Sequence, residues 1–262
     1  MLLRLSYQAL ITPLVACLSI LGVSTLQLPR LQSLLINKQA SSLESLEKDI
    51  QVEYLRLSIL KELPSFGYDN FIANWVYLNF LQYFGDDEVR EKTGYSLSPE
   101  YFDIIIKHDP RFLGAYIGLS TSTAMYAAMP ERSIELMREG LQSISPQVPE
   151  KSYYVWRYKG IDELLFLGDA QAAQNSFTMT ADWANNYSDP ESQHIAQNST
   201  QTAEFISRNP DGRYARIATW AMVLNNGVDE KTRKRAIKEI ENLGGKVIST
   251  PVGNKITFPP KN

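Results

Sequence analysis

YYVWRYKGIDELLFLGDAQAAQNSFTMTA, residues Tyr153 to Ala181, decides the fold. Ser152 to Leu167 runs without a proline and reads as one helix. Gly168-Asp169 follows it, a glycine that tolerates the left-handed turn ending a helix and an aspartate that caps the next. Ala170 to Ala184 is a second helical run. A two-residue break leaves the helices no choice but to lie side by side and antiparallel. Within the second helix, Ala173, Phe177 and Thr180 are spaced four and three and so share one face. The small Ala173 lets the two helices approach closely, and the bulky Phe177 one turn later fills the space beyond them.

Working outward, the same grammar recurs. Ser98, Phe102, Ile105 and Pro110 are spaced four, three and five, and Ser133, Met137, Gly140 and Pro146 four, three and six. Ala236, Ile240 and Leu243 repeat the four and three. The preceding helices carry Trp75, Tyr116, Trp156 and Trp220. Helical runs cover about Ser41–Leu63, Phe71–Phe84, Pro99–Lys107, Arg111–Ala127, Pro130–Gln142, Glu191–Arg208, Arg213–Leu224 and Asp229–Leu243. Between them stand breakers such as Gly85-Asp86, Asp109-Pro110, Asp189-Pro190 and Asn226-Gly227. Alternation with period two occurs only after Gly245, where Lys246–Ser249 and Asn254–Phe258 have the makings of a small hairpin. The fold class predicted is all-α, an array of helical hairpins.

On these residues the chain from Asn70 to Leu243 resembles the tetratricopeptide repeat family, whose unit is a helix–turn–helix with this small–large–small–proline pattern. Tyr153–Ala181 matches best. Arg111–Pro146 has Ala115-Tyr116 and Leu119 but lacks the first-turn glycine. Asp87–Leu97 is an insertion, and Glu191–Arg208 an extra helix. The resemblance implies an α-hairpin solenoid that binds a protein partner on the inward face of its first helices. Carried onto this chain, that face includes Asn79, Thr121, Tyr158 and Asp162.

The other informative stretch is Leu5–Pro29, which carries no charge. Residues 9–28 approach the ~20 apolar residues that cross a ~30 Å hydrocarbon layer, so a transmembrane or signal-anchor helix is expected before the array. Two other readings stay open: a secretory signal, and a lipoprotein signal in which Leu14-Val15-Ala16-Cys17 places Cys17 for lipidation. The expected organisation is therefore 1–30 membrane anchor, 31–68 amphipathic helical linker, 69–245 helical-repeat domain and 246–262 irregular tail. The expected location is a single-pass membrane protein, with a bacterial plasma membrane or a thylakoid both open.

Composition narrows the chemistry. A formal charge of −3 and a pI near 5.6 give no footprint for nucleic acid. Cys17 is the single cysteine and His108 and His194 the only histidines, which rules out a disulfide and a multi-histidine metal centre. No cofactor and no small-molecule substrate are expected. Asp103, His108 and Asp109 resemble an acid–base cluster, yet Asp109-Pro110 is a helix stop and His108 suits a last turn. Asp86-Asp87-Glu88 lacks the spacing of a calcium loop. The basic run Lys231–Arg235 reads as a solvated face. Phosphate loops, nucleophile elbows and zinc-protease motifs are missing. The expectation is a non-enzymatic, membrane-anchored interaction scaffold that assists assembly of a membrane protein complex. A stoichiometric subunit of such a complex is the alternative, with an enzyme on a helical scaffold behind both.

Overall fold

The computed structural model of the chain describes residues 13, 15–28, 43–209, 211–225, 229–250 and 253–259. It divides into two compact units, Met1–Glu47 and Lys48–Asn262. The division falls inside a helix, with residues 48–68 of the segment read as a linker in the second unit.

In the first unit residues 15–28 are helical (α1), with apolar side chains such as Leu18, Ile20 and Leu26 exposed. Among the described residues no helix is long and apolar enough to cross a membrane. That finding counts against the expected anchor and the single-pass location, which are corrected accordingly. Residues 9–12 and 14 of the expected span lie outside the described residues.

The second unit is an all-helical, repeat-like fold. Helix α2 (Leu43–Glu62) leads into α3 (Asp69–Phe84), the short α4 (Asp87–Thr93) and α5 (Ser98–His108). Then come α6 (Leu113–Leu119), α7 (Pro130–Leu141), α8 (Tyr153–Asp162), α9 (Ala170–Ala184), α10 (Pro190–Arg208), α11 (Arg213–Asn225) and α12 (Glu230–Asn242). Helix α6 continues into a π-helical segment, Ser120–Tyr126, and α8 into another, Glu163–Leu167. The hairpins are α3 with α5, the π extension of α6 with α7, α8 with α9, and α11 with α12, while α10 packs on α9. Helix α4 is the inserted element.

The local causes are those of the residues. Asp169, Asp189 and Asp229 each accept a hydrogen bond at the start of the helix that follows, from the amides of Ala172 (2.9 Å), Ser192 (3.1 Å) and Lys231 (3.0 Å). Proline stands in the first turn of α5, α7 and α10, where its missing N–H costs nothing. Gly168 ends its helix at φ +70°, which a side chain resists. Ser98, Ser133, Ala173 and Ala236 are all fully buried at the hairpin contacts. At Gly140 a Cβ would fall 1.9 Å from the Tyr116 hydroxyl, so a glycine there is what lets Tyr116 pass and donate to the Pro110 carbonyl (2.7 Å).

Two apolar clusters dominate the core. One joins α2, α3, α5, α6 and α7 through Leu57, Phe80, Phe102, Tyr116 and Met137. The other joins Ala124 and Ala128 to Phe166, Trp220 and Ile240. The second cluster also positions the last hairpin. Helix α11 lies against the ends of both π segments, Arg235 reaches Glu131 (2.6 Å), and the Asp229 side chain closes on Gly94. The last hairpin therefore packs back onto the middle of the array. The tail is also more regular than expected: β1 (Lys246–Thr250) and β2 (Gly253–Thr257) pair antiparallel with Val247 opposite Ile256. Tyr214 donates to the Pro259 carbonyl (2.9 Å) and stacks on Phe258, fastening the tail to α11.

Candidate protein-binding site

The four residues expected on a common inward face do not share one surface. Thr121 is half-buried and lines an apolar cleft of about 210 Å³ with Tyr77, Phe80, Leu81, Phe84, Ile117, Gly118 and Ser122. The cleft lies between α3 and the α6 helix with its π extension, where two first helices meet. Asn79 is half-buried on α3, donating to the Trp75 carbonyl (2.6 Å) and accepting from Arg56 (3.3 Å). Tyr158 is half-buried, stacks on Tyr154 with ring centres 6.0 Å apart, and packs against the first core cluster.

Asp162 has to be corrected outright. It is fully buried, accepting from Ser120 Oγ and Ser133 Oγ at 2.8 Å each. It cannot select a basic or hydroxyl-bearing partner from a wet groove. Its position in the sequence, on a first helix just before the turn, resembles that of a groove residue; packing of α8 against α7 and the π segment after α6 puts it inside.

Around Asp162 lies a polar seam. Lys159 pairs with Glu163, and both bond the Ser176 hydroxyl: Lys159 Nζ donates to it (3.0 Å) and it donates to Glu163 (2.6 Å). Lys159 also sits 5.3 Å from the Trp156 ring centre. Lys159, Glu163 and Ser176 are buried. Desolvation pushes the Asp162 carboxyl up to about 7, against the pull of its two serine hydrogen bonds and with a further push from the nearby Glu163. The seam ties α8 to the π segment after α6, to α7 and to α9. Its chemistry is that of a fastener, since its polar atoms are spent on one another.

Asp103 and His108 fall in separate networks. Asp103 accepts from Lys61 (2.6 Å) and Arg132 (2.5 Å), and the Asp103 carboxylate raises the Lys61 ammonium. His108 Nδ1 lies 2.7 Å from Asp69, which also accepts from Ser65 (2.9 Å); the hydrogen bond from His108 holds the Asp69 carboxyl below its ordinary range. Among the described residues no group of three or more histidine, cysteine, aspartate or glutamate side chains is placed to hold a metal ion. Cys17 is exposed on α1.

The residues of the cleft that reasoning from sequence passed over are Leu81 and Ile117, whereas Tyr77, Phe80 and Phe84 belong to an aromatic cluster that the sequence already offers as groove lining. For Leu81 the signal was present: α3 carries large apolar residues on both its buried and its exposed side, more than one core contact requires. Comparison with protein families, with curated proteins and with solved structures finds no match for this chain.

Proposed function

We propose that this is a non-enzymatic, tetratricopeptide-like interaction protein that helps assemble a multi-subunit complex by docking one of its components. The observation that carries the reading is the open apolar cleft between α3 and α6, formed where two first helices meet and walled by Leu81, Phe84 and Ile117. An aromatic-lined cleft of this size accepts one large apolar side chain, the usual anchor of a protein contact. The polar residues placed nearest to chemistry, Asp162, Glu163 and Lys159, are consumed by the seam, which favours a binding role over turnover. In the alternative the chain is a permanent subunit, and stoichiometry separates the two, because an assembly factor is sub-stoichiometric and leaves the finished complex.

The test is a photo-reactive amino acid at Thr121 in the full chain, expressed in its own cells. A discrete crosslinked protein, lost when Ile117→Glu is added, supports the cleft as the docking site. Crosslinking that ignores Ile117→Glu, or turnover of a small substrate abolished by changing His108 or Asp103, defeats the reading.

A further inference from the structure

The outer face of α2 and α3 is unlike any other described surface of the array. Val52, Leu55 and Ile59 on α2, and Phe71, Trp75 and Leu78 on α3, are all exposed, from 41% for Trp75 to 70% for Phe71. On each helix the spacings are three and four, so each set forms one stripe. The stripes adjoin: Arg56 of α2 lies 5.4 Å from the Trp75 ring centre and bonds Asn79 (3.3 Å). Helix α3 carries a single charged residue, Asp69, in its first turn.

From this we infer that the outer face of α2 and α3 is a self-association surface whose occupant is a second copy of this chain. Area supports it. Six half-exposed large apolar side chains offer roughly 100 Å² each, so about 600 Å² per copy before the rim is counted, close to the ~800 Å² per partner of a stable interface. A contiguous apolar patch of that size is at the upper end of what monomers leave in water. Charge supports it too. Each chain is acidic overall, yet the stripes hold no carboxylate, so two copies meet there without like charges facing. Arg56, the cation beside them, is already paired with Glu53 (2.7 Å), which leaves an oppositely charged partner little to read. A face of two parallel-running stripes is also self-complementary about a two-fold axis, as a closed dimer requires. End repeats of helical arrays are ordinarily polar on their outer face, and this one is apolar.

The experiment is sedimentation equilibrium of the full chain across a wide dilution series. Wild type is expected to show a monomer–dimer equilibrium. Leu55→Lys with Leu78→Lys sets like charges across the two-fold axis and should weaken the dimer by roughly a hundredfold or more, with helicity by circular dichroism unchanged. Ile248→Lys, on the C-terminal hairpin, should leave the dimer intact. In a Cys17→Ser background, Leu78→Cys should crosslink copy to copy. A wild-type chain that stays monomeric at every concentration overturns the inference, and so does a dimer that survives the double lysine variant.

Discussion

Helices α2 and α3 carry apolar side chains on their outside, whereas the middle of the array carries charged ones on its inside. Phe71, Trp75 and Leu78 face solvent on α3; Asp162, Glu163 and Lys159 lie buried along α8 and its extension. Both regions invert the usual distribution, and they do so for different reasons. A charge inside is tolerated only when its partners are inside with it, and here Ser120, Ser133, Ser176 and the Lys159–Glu163 pair supply them. An apolar side chain outside needs no partner within the fold and therefore reports on what lies beyond it. The seam is thus about holding hairpins together, and the face about holding something else.

The sharpest way to break that contrast is to remove one half of the seam's ion pair. Lys159→Met leaves Glu163 buried without its cation and should cost about 3–5 kcal/mol in urea denaturation, while Lys159→Met with Glu163→Leu should recover most of it. A double variant as unstable as the single one would show that the pair is not what matters there.

Next in size is a pH effect at Asp162. Its folded-state value, about 7, lies above that of the unfolded chain, so the folded protein holds the proton more tightly. Its contribution is therefore fully present below about pH 4 and is lost as pH rises through 7. Between pH 5 and pH 8 the loss should be roughly 2–3 kcal/mol, read from denaturation midpoints. Asp162→Asn should flatten the profile; an unchanged slope would mean another group is responsible.

The smallest effect belongs to the outer face. Phe71→Ser or Leu78→Ser should shift monomer stability by no more than about 0.5 kcal/mol, measured at high dilution. A loss several times larger would place these side chains in the core and dissolve the comparison.

Much of this was legible in the sequence because the hairpin contacts depend on small residues at fixed spacing. Ser98, Ser133, Ala173 and Ala236 sit where the pattern put them, and Gly168-Asp169 turns and caps as its chemistry demands. The alternation after Gly245 marked the strand pair. What was illegible depended on contacts far apart in the chain. That Ser120 and Ser133 of the preceding hairpin meet Asp162 is written in no local pattern, so Asp162 read as wet. Thr121 was placed at an accessible cleft, whereas Asn79 is occupied by Trp75 of its own helix and Arg56 of α2, and Tyr158 by Tyr154 and the first core cluster. For the uncharged stretch before Pro29, composition fixes what a helix would tolerate, whereas among the described residues no helix is long and apolar enough to cross a membrane.

The two π-helical segments, Ser120–Tyr126 and Glu163–Leu167, bear on how such a chain tolerates change in length. A wide turn absorbs an extra residue without breaking the helix, and it rotates everything after it by about 100° relative to an uninterrupted α-helix. Each segment is thus a phase joint, where one residue can be gained or lost while both flanking helices keep their own faces. Which side of the array a residue occupies is set by counting from the nearest joint, and not from the start of its helix.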